Sequence, residues 1–115
     1  MGLVTYKPWG QYESLDEGID YKVKKITLSP RQRFSLQYHR YREEHWSVVS
    51  GDGIITVGDQ QVEAASGSHW IIPATAIHRA TASEEEFVFI ETQIGNCEED
   101  DICRLEDDYN RGSPK

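Results

Sequence analysis

The stretch Arg33-Phe-Ser-Leu-Gln-Tyr-His-Arg-Tyr-Arg-Glu-Glu-His-Trp-Ser-Val-Val-Ser-Gly51 decides how this chain folds. Successive side chains of a strand point to opposite faces, and the residues here sort by that period of two. Gln37 and His39 lie two apart and therefore share a face. After a short turn at 40–43 the next strand starts with Glu44, whose neighbours on its own face are Trp46 and Val48, so its carboxylate points inward. Gly51-Asp52-Gly53 then ends that strand.

The same reading extends in both directions. Tyr21–Leu28 is a partly alternating, β-branched segment broken by Ser29-Pro30. Ile54–Val57 and Gln61–Ala64 form a hairpin about Gly58-Asp59, and His69–Ile72 is a strand stopped by Pro73. Glu86–Gln93 alternates most clearly, with Phe87, Phe89 and Glu91 on one face. Lys7–Glu13 reads as an edge strand, where Pro8 is tolerated because it has no N–H to give to a ladder. Turn residues recur at roughly eight to twelve positions, and about nine short strands result, the pattern of an all-β barrel or double-sheet roll. Trp46, Trp70 and Phe87 read as core by their alternation.

A chain of 115 residues and 13.2 kDa makes one domain. Its net charge of −8 is unevenly spread: residues 1–42 carry 8 basic and 4 acidic groups, and residues 43–115 carry 4 and 16. That field repels phosphate backbones and anionic lipid, so neither nucleic acid nor a membrane is an expected partner. No apolar run approaches the ~18 residues of a membrane span and the N-terminus lacks a signal pattern, so a cytoplasmic location is expected. In a reducing compartment Cys97 and Cys103 are expected to be free thiols. The last positions, 112–115, read as a disordered tail.

Gln37, His39 and Glu44 offer an amide oxygen, an imidazole nitrogen and a carboxylate oxygen. A mixed nitrogen and oxygen set without thiolate suits borderline divalent metals such as Zn, Mn, Fe, Ni or Co. His69 and His78 are the candidates for a fourth ligand, and the return of the chain after Pro73 favours His78. The same side chains also fit a hydrogen-bonded polar face that holds no metal.

The S-L-Q-x-H, R-x-E-H-W and V-V-S-G elements of residues 33–51 resemble the first signature of the cupin superfamily, and Gly67–Arg79 resembles the second. More narrowly, these elements are similar to the cupin domain of type II mannose-6-phosphate isomerases, as are Pro8–Glu13 and the closing E-D-D-I-x-R-x-E-D pattern of residues 98–111. Ala74 and Ala76 stand where that family usually has P-x-G, and Asn110 where it has Gly. The resemblance implies a single cupin-type jelly-roll β-barrel over residues 1–111. It puts the metal ligands on Gln37, His39, Glu44 and His78, with one divalent transition metal, Zn ahead of Mn, Fe, Ni and Co. The implied reaction interconverts mannose 6-phosphate and fructose 6-phosphate.

A sugar phosphate needs cationic anchors, for which Arg42 and Arg79 rank first beside Arg33, Arg104, Lys22 and Lys24. His45, Glu43 and Lys24 are the candidates for a catalytic base. A second reading is a non-catalytic cupin that binds a sugar or sugar nucleotide beside a separate mannose-1-phosphate guanylyltransferase. A third is an iron-dependent oxygenase using the same ligands. The acidic run Glu98–Asp101 reads as a solvated turn whose carboxylates pair with Arg104 or Arg111, and exposed sheet edges point to a homodimer.

Overall fold

Sheet architecture follows from the alternating segments. The computed structural model of the chain describes residues 2–112, and among them there is no helix. Eleven strands form: β1 (Val4–Lys7), β2 (Gly10–Glu17), β3 (Tyr21–Leu28), β4 (Leu36–Tyr38), β5 (Arg42–Ser50), β6 (Asp52–Val57), β7 (Gln60–Ala65), β8 (His69–Ile72), β9 (His78–Ala82), β10 (Phe87–Gly95) and β11 (Cys103–Glu106). One sheet has the order β1-β2-β3-β10-β5-β8 and the other β11-β4-β9-β6-β7, all pairs antiparallel. Their facing sides share one core, and the jelly roll expected from the sequence is the architecture formed. No helix of the described residues is long and apolar enough to cross a membrane.

Three local readings need correction. The single edge strand at 7–13 is a hairpin instead, with Pro8-Trp9 at its turn and Lys7 paired to Gly10. Proline suits that turn for the same reason it suits an edge: no ladder bond is lost. The acidic run is followed by an eleventh strand, β11, which pairs with β4. Strand β5 starts at Arg42, two residues earlier than expected, because its pairing with β10 extends to Arg42 opposite Gly95. Apart from Gly112, the expected C-terminal tail lies outside the described residues. Cys97 and Cys103 are free thiols.

The inward faces change character along their length. On β10 they run Phe87, Phe89, Glu91, Gln93, and the register sets these against Leu28, Ile26, Lys24 and Lys22 of β3. On β5, Val48 lies opposite Phe89, Trp46 opposite Glu91 and Glu44 opposite Gln93. The second sheet repeats the gradient, since Ile55 pairs with Ala80 and, farther along, Gln37 pairs with His78. One half of the barrel is therefore apolar and the other half polar. Trp46 and Phe89, with ring centroids 4.6 Å apart, close the apolar half beneath the polar one. Phe34 meets Trp46 edge to face at 5.9 Å, and Trp9 meets Phe34 at 5.7 Å. Each large side chain buried this way contributes about 1.5–3 kcal/mol.

Gly51, at the tight link between β5 and β6, has φ 75°, and a Cβ there would lie 1.9 Å from the Glu86 carbonyl oxygen. The left-handed conformation costs about 1–2 kcal/mol for other residues, and the collision with backbone adds to it. Gly51→Ala is expected to lower unfolding stability by about 2 kcal/mol or more, read from the urea midpoint at unchanged slope. A change below about 0.5 kcal/mol would contradict this account of the turn.

Candidate functional site

The polar half of the barrel is built from residues far apart in sequence. Gln37 comes from β4, His39 directly follows that strand, Glu44 is on β5, and His78 opens β9. The Gln37–His78 cross-strand pair and the Glu44–Gln93 pair bring them to one level. His39, Glu44 and His78 are each at most 3% exposed, and one atom from each lies within 4.8 Å of the other two. His39 Nε2 is 3.2 Å from Glu44 Oε2, and His78 Nε2 is 3.7 Å from Glu44 Oε1. The indole N–H of Trp46 donates to Glu44 Oε1 at 3.0 Å.

Both imidazoles are oriented by backbone. His39 Nδ1 donates to the Asp101 carbonyl at 2.6 Å, and His78 Nδ1 donates to the Ala76 carbonyl at 2.9 Å. The second contact depends on the turn after β8, where Thr75 takes φ 71° and its N–H reaches the His39 carbonyl at 2.7 Å. With Nδ1–H committed on each ring, Nε2 of the neutral imidazole presents a lone pair. Two such lone pairs and a carboxylate converge, and His78 Nε2 has no hydrogen-bond partner although it is buried. Three converging acceptors repel one another unless a cation sits among them, so the residues fit a divalent metal. Gln37 Nε2 is 3.3 Å from His39 Nε2 while Ser35 Oγ donates to Oε1 at 2.6 Å; a flip of the amide presents the oxygen to the same point.

Charge in the pocket is arranged around Glu44. Burial by itself would raise its carboxyl, but the Arg42 guanidinium, together with His39 and His78 whenever those rings are protonated, holds it well below the usual range. Arg42 Nε donates to Glu44 Oε2 at 3.1 Å, Nη2 lies 3.3 Å from His39 Nε2, and Nη1 donates to the Glu98 carbonyl at 3.1 Å. Burial pushes the His78 imidazole down to about 4. Burial, with the Glu44 charge beside it, pushes the Glu91 carboxyl up to about 8. Gln93 Nε2 donates to Glu91 Oε1 at 2.8 Å, so a second buried carboxyl stands next to the first.

Not every residue singled out from the sequence reaches this pocket. Arg42, Arg104 and Lys24 line it. Arg79 follows His78 and so faces the other way, donating to the Phe34 carbonyl at 3.0 Å and to Glu106, and with Arg33 it lines a separate cleft. His45 and Glu43 alternate with Glu44 and meet each other at 2.6 Å on the outer face of β5. Lys24 Nζ donates to both oxygens of Glu99, at 3.0 and 2.8 Å, and Lys22 also reaches Glu99 at 3.0 Å. His69 is exposed on β8 and is not among the converging ligand atoms.

The acidic run is an exposed turn, as expected, but it ends in a buried residue, Asp101, and its groups are paired. The Asp101 carboxylate accepts from the Arg40 and Tyr41 amides at 2.9 and 3.0 Å while its carbonyl orients His39. Glu99 pairs with Lys22 and Lys24, whereas Arg111 pairs with Asp107. Sequence reasoning also missed Lys7, Arg111 and Gln93 in the pocket wall. Alternation after Phe89 carried a signal for Gln93; nothing local marks Lys7 or Arg111.

Comparison with known proteins agrees with this geometry. The family model described as mannose-6-phosphate isomerase C-terminal matches residues 2–107. The alginate biosynthesis protein AlgA of Pseudomonas aeruginosa is 44% identical over 109 residues, covering 93% of this chain and 23% of that protein. The mannose-1-phosphate guanylyltransferase of Escherichia coli is 39% identical over 110 residues, again 93% of this chain and 23% of its own length. The chain thus spans about a quarter of these curated relatives. Among solved structures, the capsular polysaccharide assembling protein CapF of Staphylococcus aureus superposes with TM-score 0.78 at 19% identity, covering 92% of this chain and 34% of CapF. An RmlC-like cupin from Shewanella frigidimarina gives TM-score 0.78 at 18% identity, covering 86% and 87%. At that identity the likeness is one of fold, and the fold is that of the cupins.

The Glu99 pairing predicts a pH effect. Burial would raise this carboxyl, but Lys24 and Lys22 hold it down at about 2. A folded-state value below the unfolded one, about 4.3, makes the pairing fully stabilising above that value and removes it as pH falls toward about 2. The wild type is expected to lose stability across that window by an increment that Glu99→Gln lacks, and carbon-detected NMR should find the Glu99 midpoint near 2. Titration at the ordinary carboxylate value would contradict the pairing.

Proposed function

The chain belongs to the mannose-6-phosphate isomerase C-terminal family, and from that membership we propose that its pocket binds a divalent transition metal and a sugar phosphate and interconverts mannose 6-phosphate and fructose 6-phosphate. The observation that carries this reading is the convergence of two imidazole Nε2 atoms and one carboxylate in a buried site whose Nδ1 atoms are already committed to carbonyls. Gln37, His39, Glu44 and His78 would hold the ion, with Zn ahead of Mn, Fe, Ni and Co for this donor set. When bound, such an ion supplies a Lewis acid for the negative charge that develops on sugar oxygens as a proton moves between C2 and C1.

The chain's own residues do the rest. Arg42, beside Glu44 and His39, presents its guanidinium to the oxygens that gain charge. Lys24, fixed by Glu99, and Arg104 supply further donors from the walls. Trp46 and Phe34 pack against His78 and keep water from the floor of the site. By analogy with relatives named for alginate synthesis and for mannose-1-phosphate guanylyl transfer, the work falls in the cytoplasmic supply of polysaccharide precursors. A homodimer belongs to the same reading, since β1 and β8 leave outer edges unpaired among the described strands.

Metal analysis and a coupled assay with mannose 6-phosphate test the proposal together. The purified protein should carry about one equivalent of divalent metal and form fructose 6-phosphate, while His78→Ala should lose the metal and stay folded. A ligand at a hundredfold excess over its Kd stabilises by about 2.7 kcal/mol, several degrees of Tm for this size. No metal after gentle purification, with a flat thermal response to Zn, Mn, Fe, Ni and Co, would overturn the site. Metal and sugar-phosphate binding without turnover would select the non-catalytic reading.

A further inference from the structure

Three cations crowd one side of the pocket in a chain whose net charge is −8. Lys7 ends β1, Arg104 lies on β11, and Arg111 follows Asn110 near the end of the described chain. Arg104 pairs across strands with Gln37, and directly opposed residues share a face, so its side chain points the same way as that of Gln37. All three residues line the same pocket as His39 and Glu44 while remaining half-buried, nearer the opening than those two.

These like charges act on one another. Burial, and then the positive charges of Arg111 and Arg104, push the Lys7 ammonium below its ordinary range against the opposing charge of Glu99. Burial and the Arg111 charge act in the same direction on Arg104. Arg111 is held in place by a two-point pair with Asp107, at 2.8 and 3.1 Å, and Arg104 Nη1 donates to the Gly112 carbonyl at 2.6 Å. Lys7 by contrast has no side-chain hydrogen bond or ion pair among the described residues. Gathering like charges around an ammonium that makes no ion pair, and that only the Glu99 carboxylate opposes from beyond contact, costs stability, and a multiply charged anion in their midst reverses the sign of that cost.

We propose that Lys7, Arg104 and Arg111 form a phosphate-binding subsite at the opening of the pocket, which holds the phosphate of the sugar phosphate while the sugar oxygens face His39, Glu44 and His78. This rests on the reading of the pocket as a sugar-phosphate site. It moves the phosphate away from Arg79 and Arg33, whose guanidinium groups serve Phe34, Glu106 and Asp108 in another cleft. Arg42 is left to the reacting end. Two arginines preset by an acidic partner and a carbonyl supply forked donors, and the lysine supplies a mobile point charge.

Calorimetric titration of the full chain with inorganic phosphate in the presence of a chelator reads this subsite without the metal. Lys7→Met should weaken phosphate binding about tenfold or more, the effect of one charge-assisted hydrogen bond, and Lys7→Arg should restore most of it. Arg31→Gln, which removes an exposed cation paired with Glu84 away from the pocket, should leave binding unchanged. Lys7→Met should likewise raise KM for mannose 6-phosphate more than it lowers kcat, and Arg111→Met should follow it. Absence of phosphate binding in the wild type, or equal affinity in Lys7→Met, overturns the subsite. Lys7-dependent phosphate binding in a protein that neither holds metal nor turns over mannose 6-phosphate keeps the subsite and discards the isomerase reading. Normal turnover with unchanged KM in Lys7→Met does the reverse.

Discussion

The register that sets Glu91 of β10 opposite Trp46 of β5, and Gln93 opposite Glu44, is the constraint on which the rest of this molecule depends. A slip of one residue would turn Phe87, Phe89, Glu91 and Gln93 together to the outer face, because the side-chain period of a strand is two. The apolar end of the same strand prevents that slip. Phe87 and Phe89 are fully buried, and exposing both would cost about 3–6 kcal/mol. The hydrophobic half of the barrel thus holds the polar half in register, and the buried charges of the site are positioned by groups that do no chemistry themselves.

A second constraint comes from the C-terminal segment. It reaches back over more than half the chain to donate nothing of its own to the ligand set, yet it orients what is there. The Asp101 carbonyl fixes His39, the Glu98 carbonyl holds Arg42, and Glu99 anchors Lys24. Strand β11 then carries Arg104 to the side of Gln37. Buried groups held by single backbone carbonyls retain a defined tautomer and direction, and so a small barrel with few layers can present three lone pairs to one point.

Electrostatics complete the picture. The chain is acidic overall, but its cations are not spread evenly: Lys7, Lys24, Arg42, Arg104 and Arg111 all border the one pocket. Low-dielectric walls strengthen such a field and concentrate small anions in it, while the acidic exterior repels large ones. The small phosphorylated ligand proposed above meets both conditions.

Much of this is legible in the sequence alone. Alternation across Tyr21–Leu28, His69–Ile72 and Glu86–Gln93 marked the strands, and the spacing of Gln37, His39 and Glu44 put three polar donors on facing sides of one turn. These features are local, for strand periodicity and turn chemistry are properties of a few neighbouring residues. The hairpin at Pro8-Trp9 and the strand β11 escaped because short strands with mixed composition carry little periodic signal. The role of Asp101 beside His39 and the gathering of Lys7, Arg104 and Arg111 had no local mark at all, whereas alternation with His78 was the local mark for the outward turn of Arg79. The unmarked arrangements join residues from 62 to about a hundred positions apart, so sheet pairing and barrel closure decided them. The sequence by itself determined which residues carry imidazole, carboxylate and cationic side chains; only the tertiary structure, by choosing which faces meet, decided which of them share a pocket.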